Sequence, residues 1–164
     1  MVERLRHRGP DGEGTFFQAE AAVALVHTRL AIQDPRPEAN QPFADPTGTT
    51  TIVYNGELYN VRELRDKLRA LGHAFRTQSD TEVLLLAYRE WGAQCLAKLN
   101  GIFAFAVWDA RSRELLVARD GTGVKPLYYS EEGGSFAFAS EIKALLCFPG
   151  ISRSLDPDAL ASYL

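Results

Sequence analysis

The chain has 164 residues, 46% of them hydrophobic and 24% charged, with a formal net charge of −3. This composition is typical of one globular domain and excludes disordered and fibrous proteins. The small negative charge, without a basic tract, gives no reason to expect nucleic acid or an anionic membrane as a partner, and no apolar stretch has the length of a membrane span. Since the start MVERLRHRGPDG is no secretory signal, we expect a cytoplasmic protein.

Strands and loops alternate in the first third of the chain. The loop RGPDGEG precedes a predicted strand pair, Thr15–Gln18 and Ala22–His27, and the long proline-rich loop PRPEANQPFADPTG follows. The next predicted strand covers Thr51–Tyr54. The dipeptide Asn55-Gly56 comes directly after it and is the strongest short signal for a hairpin turn, yet no partner strand returns.

Two helices are predicted next. Asn60 and Glu63 form an approximate capping box, and Gly72 is placed to end the first helix. One face of this helix carries Leu64, Leu68 and Leu71. The second helix runs from the capping pair Ser79 and Glu82 to Trp91, with Gly92 after it, and buries Val83, Leu84, Ala87 and Tyr88. Short helical turns are expected over 95–99.

The last third predicts four strands and two helical segments. The runs IFAFAVWD, ELLVARD, PLYYS and SFAFAS have the spacing of a β-meander, and SEIKALLC and PDALASYL read as helices. The strand Ile102–Val107 is apolar at both alternate sets of positions, which indicates burial on both faces. We therefore predict an α+β fold, a four-layer α-β-β-α sandwich of antiparallel sheets.

Cysteine and histidine usage gives no metal or disulfide pattern. Cys95 and Cys147 have no metal-ligand spacing around them, and we expect two buried thiols. The three histidines form no metal-binding motif, and His27 is expected to pack in the sheet. The glycines of GTGVKP lack the spacing of a phosphate loop, so this segment is predicted to be a turn between strands.

Two interpretations of Asn55-Gly56 remain open from the residues alone. Both residues tolerate a positive φ, so the dipeptide can be a simple tight turn. Alternatively, the Asn55 side-chain N–H and the Gly56 backbone N–H point at one spot and form an oxyanion hole for acyl transfer. In that case glycine is useful because a side chain would obstruct the substrate.

Seven motifs resemble, in order, the glutaminase domain of asparagine synthetase-type enzymes: RHRGPDGEG, HTRLAIQDPRPEANQPF, YNGELYN, SDTEVLLLAYREWG, LNGIFAFAVWD, ARDGTGVKPLYY and FASEIKALL. The resemblance covers nearly the whole chain. It implies a class II glutamine amidotransferase domain of the N-terminal nucleophile fold over residues 1–155, with L-glutamine as substrate. Residues 156–164 would begin a linker or helix toward a synthetase domain.

The resemblance also implies the site residues. Asn55 and Gly56 become the catalytic oxyanion donors. Arg29 would bind the glutamine α-carboxylate, where its alternative is a surface arginine at a strand end, and Leu30 would offer only its backbone.

The glutamine α-ammonium would lie between two carboxylates, those of Glu57 and Asp80. Each has a simpler alternative. Asp80 follows a helix N-cap, where any carboxylate is stabilised by the helix dipole, and Glu57 can be solvated surface.

The chain departs from the family pattern at its N-terminus. The family nucleophile is a cysteine whose free α-amine acts as its base, whereas this chain begins Met1-Val2. Neither Cys95 nor Cys147 has an α-amine to use. A smaller departure is the pair at 121–122, Gly-Thr, where the family usually has a basic and an aromatic residue.

From these features we expect the complete enzyme to hydrolyse glutamine to glutamate and ammonia for asparagine synthesis, and the chain as written to be inactive. The alternative is a non-catalytic glutamine-binding or scaffold module. No cofactor or metal is expected in this chain, because ATP and Mg²⁺ belong to the absent synthetase domain. An unpaired sheet edge would make a homodimer possible.

Overall fold

The computed structural model describes residues 1–163, which form five α-helices and eight strands. The helices are α1 (Val2–Leu5), α2 (Val61–Ala70), α3 (Asp80–Trp91), α4 (Ile142–Leu145) and α5 (Pro157–Tyr163). The strands are β1 (Gly12–Gln18), β2 (Val23–Arg29), β3 (Phe43–Ala44), β4 (Thr50–Leu58), β5 (Gly101–Asp109), β6 (Glu114–Arg119), β7 (Tyr128–Glu132) and β8 (Ser135–Ala139). Short 3₁₀ segments cover Arg6–Arg8, Ala19–Ala21, Pro37–Ala39 and Gly92–Lys98.

Backbone pairing produces three antiparallel sheets. The central sheet has the order β3-β4-β5-β6, and β1-β2 and β7-β8 form two separate two-stranded sheets. In the central sheet, β4 and β5 pair from Thr50 opposite Asp109 to Leu58 opposite Gly101. The predicted strand pair at the start of the chain is confirmed as β1-β2, and each strand is longer than predicted.

Helices and sheets stack in four layers. Helices α2 and α3 cover one face of the central sheet and bury a core that includes Leu84 and Phe105. On the opposite face, Val53 packs with Leu25 of β2, and Phe138 of β8 lies against the same cluster. Helices α1 and α4 pack together outside β2 and β8. The predicted α+β class and the α-β-β-α order are confirmed.

Strand β5 lies in the middle of this stack. All seven residues from Phe103 to Asp109 are buried, and within the apolar run Ile102–Val107, which predicted burial on both faces, only Ile102 is half-buried. A strand with two dry faces requires a layer on each side, and the helices and the two hairpins supply these layers.

The last four strands do not form the predicted meander, because β6 and β7 belong to different sheets. The Asp120 carboxylate accepts hydrogen bonds from the backbone N–H groups of Phe103, Val124 and Lys125 at 3.0–3.1 Å. These bonds turn the chain out of the central sheet just after Arg119. The segment GTGVKP connects two strands, as predicted, but these strands, β6 and β7, belong to different sheets and different layers.

The interpretation of Asn55-Gly56 as a tight turn is also wrong, because β4 continues through both residues to Leu58. Gly56 pairs with Phe103 in the ladder and has no positive φ. A Cβ at Gly56 would overlap the carbonyl oxygen of Ile102 and lie 2.8 Å from the ring of Tyr54. Glycine is therefore required by the close approach of β5, and a turn does not explain it.

Both predicted central helices are confirmed, with one error in their capping. The Asn60 side chain does not cap α2: it donates to the Lys98 carbonyl at 2.9 Å and accepts from the Asn100 N–H at 3.1 Å. Ser79 does cap α3 by accepting from the Glu82 N–H. The apolar face of α2 ends early, because Leu71 is exposed.

The two cysteines differ. Cys95 is buried, and burial raises its pKa to about 11. Cys147 is exposed, so the prediction of two buried thiols is wrong for it. Over residues 1–163, no cluster of three His, Cys, Asp or Glu side chains is suited to hold a metal ion, and no helix there has the length and hydropathy to cross a bilayer.

We predict that Gly56→Ala lowers the free energy of unfolding by about 1–3 kcal/mol, because the added methyl group has no space beside β5. Urea denaturation monitored by circular dichroism measures the change. Gly121→Ala is the matched control, since a Cβ there meets nothing within 4 Å. Equal stability of the two variants would contradict the close approach at residue 56.

Candidate active site

A cavity of about 510 Å³ lies between the central sheet and the two hairpins. Its walls include Leu25, His27, Asn55, Ala106, Ala137 and Phe138. Within residues 1–163, β2 pairs only with β1 and β8 only with β7. On the side of the hairpins, the cavity is therefore bordered by two strands, β2 and β8, that each have an unpaired edge.

Tyr54 is the most constrained residue beside this cavity. Its N–H donates to the Gln41 side-chain oxygen at 2.6 Å, and its carbonyl accepts from the Gln41 amide at 3.1 Å and from His27 Nε2 at 3.2 Å. Its hydroxyl donates to Asp80 Oδ2 at 2.7 Å. The Gln41 carboxamide thus replaces a partner strand at the point where β3 has ended.

The backbone of β4 directs its N–H groups alternately to the two edges of the strand. The Tyr59 N–H donates to the Asn100 carbonyl at 2.8 Å, which fixes the odd-numbered residues as those that bond to β5. Asn55 belongs to this set. The N–H of Gly56 therefore points away from β5, toward the outer edge of β4, which the short strand β3 leaves uncovered.

The two neighbouring donors on this outer edge already have acceptors. The Tyr54 N–H is bound by Gln41, and the Leu58 N–H lies 3.3 Å from Asp80 Oδ2. The Gly56 N–H lies between them. The edge thus presents one backbone donor between two occupied ones.

Side-chain alternation places the Asn55 side chain on the cavity face of the sheet, beside this edge. Val53 faces the cavity side of the sheet, so Asn55 and Glu57 share that face. Asn55 is half-buried and lines the cavity, and Glu57 is exposed. The Asn55 carboxamide and the Gly56 N–H, the predicted pair of donors, thus belong to the same short stretch of β4 beside the cavity.

Asp80 begins α3 and lies 5% exposed against the same strand. Desolvation raises the pKa of Asp80, while the hydrogen bonds from Tyr54 and Leu58 oppose that rise. Its position after the Ser79 cap agrees with the simple alternative of a helix-dipole carboxylate, but its contacts with β4 go beyond that role.

Two side chains hold the loop before α3: Arg65, which was not predicted from the sequence, and Glu82, which was predicted only as part of a capping box. Arg65 of α2 donates to the carbonyls of Thr77 and Ser79 at 3.0 and 3.2 Å. The Glu82 carboxylate accepts from the N–H groups of Arg76 and Thr77. No sequence motif marks a buried arginine of this kind. The only signal is that Arg65 lies next to Leu64 on the helix, close to its buried face.

Arg29 ends β2 and is buried, and its guanidinium already has four acceptors. These are the side chain of Asn40 and the backbone carbonyls of Gln33, Asp34 and Arg36. Arg29 thus holds the loop 33–40 in place, and it is not the surface arginine of the simpler interpretation. This loop leads directly to the Gln41 clamp on β4.

The RGPDG motif supports the same strand end. The Asp11 carboxylate accepts from the Ala31 N–H at 2.8 Å, and the Asp11 N–H donates to the Arg29 carbonyl at 3.0 Å. A Cβ at Gly9 would overlap the backbone of Thr28 and Arg29. The motif therefore fixes the backbone on both sides of Leu30, whose side chain is exposed.

The side chain of His27, a residue of β2, packs against the central sheet, as predicted. Burial lowers its pKa to about 4, the Tyr54 carbonyl opposes this shift, and the Arg29 charge adds to it. The ring is therefore neutral at pH 7, with Nε2–H donating to Tyr54. Its Nδ1 is buried without a partner among residues 1–163.

We predict that the free energy of unfolding falls as the pH decreases from 6.5 to 4, by up to about 3 kcal/mol. The unfolded chain binds a proton on His27 in this range and the folded chain does not, so stability is full above pH 6.5 and lost toward pH 4. Urea titrations at several pH values test this. His27→Leu should remove that part of the slope, and an unchanged slope would contradict the buried neutral ring.

Comparisons with known proteins identify the family of the chain. The profile of the glutamine amidotransferase domain family matches residues 1–164. Asparagine synthetase [glutamine-hydrolyzing] 3 of Bacillus subtilis is 49% identical over 98% of the chain, and asparagine synthetase [glutamine-hydrolyzing] 1 of the same organism is 40% identical over 100%. The chain spans about a quarter of the length of these relatives, 26% and 25%.

A solved structure shows the same fold. Glutamine phosphoribosylpyrophosphate amidotransferase from B. subtilis superposes with a TM-score of 0.62 at 30% identity, over 74% of this chain and 28% of that one. The predicted resemblance and the predicted N-terminal nucleophile type of fold are confirmed.

Proposed function

Since this chain belongs to the glutamine amidotransferase domain family, we propose that it is the glutaminase domain of an asparagine synthetase-like enzyme. It binds L-glutamine at the outer edge of β4, beside the cavity. The observation that carries this proposal is the Gly56 N–H, which faces that edge between two occupied donors and next to the Asn55 side chain.

Asn55 and Gly56 act as the oxyanion donors. The carboxamide of one residue and the backbone N–H of the next stabilise the negative charge that develops on the glutamine side-chain oxygen. The backbone around them is held by Gln41, His27 and Asp80, so the donors need little reorganisation during the reaction.

The α-amino and α-carboxylate groups of glutamine are bound by residues around this edge. Glu57 and Asp80 hold the α-ammonium, and the Leu30 backbone, at the rigid end of β2, contacts the ligand. Arg29 binds the α-carboxylate by exchanging acceptors of the loop 33–40 for the ligand oxygens, because its guanidinium is fully used in the present conformation.

A segment outside residues 1–164 supplies the nucleophile. We place it as an extended strand between β2 and β8, where the cavity is about 510 Å³ and strand edges are unpaired. The thiolate of its cysteine attacks the glutamine amide carbon, the amide nitrogen takes a proton and leaves as ammonia, and a thioester forms. Water then releases glutamate and restores the thiol.

Ammonia passes to a synthetase domain beyond this chain, and ATP and Mg²⁺ are used there. Nothing in the proposed chemistry of the present residues requires a cofactor. If no strand fills the cavity, the free edges of β2 and β8 remain available to a second copy of the chain.

We predict that Asn55→Ala lowers the glutaminase kcat of the full-length protein by about 100- to 1,000-fold, because one of two oxyanion donors is lost. Glutamate release measures the rate. Asn100→Ala is the matched control, since this residue precedes β5, is exposed and does not line the cavity. Near-normal turnover of the Asn55 variant would refute the proposed donor.

A second candidate function applies to residues 1–164 alone. Neither Cys95 nor Cys147 lines the cavity, so we propose that this isolated chain binds glutamine without hydrolysing it. Calorimetry should detect glutamine binding that Arg29→Ala or Asp80→Asn weakens, with no glutamate formed. Glutamate release by residues 1–164 that Asn55→Ala abolishes would overturn this prediction, and absence of binding would leave a scaffold role.

A further inference from the structure

The Asp80 carboxylate is buried without a cationic partner. It is 5% exposed, and among residues 1–163 no Lys, Arg or His side chain forms an ion pair with it. The nearby Arg65 is directed to the carbonyls of Thr77 and Ser79. A buried carboxylate in this situation requires either strong neutral donors or a cation from a ligand.

Tyr54 provides the shortest contact to this carboxylate. Its hydroxyl donates to Asp80 Oδ2 at 2.7 Å, whereas the second donor to the same oxygen, the Leu58 N–H, is at 3.3 Å. Burial raises the pKa of Tyr54 far above its usual value, and the adjacent Asp80 charge raises it further, so the hydroxyl keeps its proton. The two donors from β4 therefore bind one carboxylate oxygen, Oδ2, while the backbone N–H groups at the start of α3, those of Asp80 and Thr81, add to the stabilisation of the charged carboxylate.

The position of the Tyr54 hydroxyl is itself fixed. The backbone on either side of the ring is bound by Gln41 and His27, and the ring is 5% exposed in the core beneath α3. A side chain that is locked at its backbone and packed along its ring has little freedom to move its hydroxyl. Tyr54 thus acts as a rigid support for a carboxylate that belongs to another layer of the fold.

We propose that Tyr54 is a positioning residue for substrate recognition: it holds Oδ2 of Asp80 so that Oδ1 faces the α-ammonium group of glutamine. This inference rests on the proposed function, in which Asp80 binds that ammonium. It assigns to Tyr54 the selection of substrates that carry an α-amino group, and no direct contact with the reacting amide.

The test compares glutamine with glutaramate, which is glutamine without its α-amino group, in the full-length protein. The KM for glutamine and the inhibition constant of glutaramate are measured for the parent and for Tyr54→Phe, which keeps the ring and the backbone contacts. We expect the glutamine KM to rise about tenfold or more, as for loss of a hydrogen bond to a charged group. The kcat and the glutaramate constant should change by less than about threefold.

Two further variants make the result decisive. Tyr88→Phe is the matched control, because this tyrosine is also buried but lies at the other end of α3. It should change neither the KM for glutamine nor the inhibition constant of glutaramate. In an Asp80→Asn background, adding Tyr54→Phe should have no further effect on glutamine.

Four outcomes would count against the inference. An equal weakening of glutamine and glutaramate by Tyr54→Phe would indicate a merely structural role and overturn it, as would an unchanged KM for glutamine. If the parent protein shows no glutamine hydrolysis or binding, or if Asp80→Asn leaves the glutamine KM unchanged, the proposed function fails first and this inference falls with it.

Discussion

The central constraint of the structure is the fixation of one residue, Tyr54, by three other parts of the chain. Gln41 binds its backbone from the loop before β3, His27 from β2, and Asp80 binds its hydroxyl from α3. Strand β3 is only two residues long, so the edge of β4 would otherwise have unsatisfied backbone groups there. Because side-chain groups complete the pairing, the next backbone donor along the edge, the Gly56 N–H, is not covered by a partner strand. A regular partner strand in this position would have closed the site.

Two buried arginines organise the loops that surround this edge. Arg29 and Arg65 each use the guanidinium to bind several acceptors, mostly backbone carbonyls, and each is less than 10% exposed. A planar group with five donors can satisfy many carbonyls at once, which suits loops that have no regular pairing. One arginine fixes the segment that leads to the Gln41 clamp, and the other fixes the segment that leads to Asp80. On both sides of the candidate site, the loop conformation therefore depends on a buried arginine that binds backbone carbonyls.

The sequence predicted what short-range patterns encode. The helices α2 and α3, the buried strand β5 and the layer order followed from periodicity, because each needs only nearby residues. The Asn-Gly turn and the meander failed because the pairing partner decides both. The requirement for glycine at position 56 comes from β5, nearly fifty positions away in the sequence. The direction in which the chain leaves β6 is set by the hydrogen bond from the Phe103 N–H to Asp120. Within the site, the family resemblance named Asn55, Gly56 and Asp80, whose roles remain proposals. The supporting contacts of Tyr54 and Gln41 had no local signal at all.

The turn after β6 has a consequence for how this domain tolerates change. Its shape depends on the Asp120 carboxylate, which accepts from the main-chain N–H groups of residues 103, 122, 124 and 125. The side chains at 121 and 122 contribute only the bond from the Thr122 hydroxyl. The atypical Gly121-Thr122 pair therefore leaves the crossing between layers intact. Substitutions at these two exposed positions therefore leave the bonds that shape the turn largely in place, whereas substitution of Asp120 would remove the carboxylate that ties the start of the outer hairpin to β5.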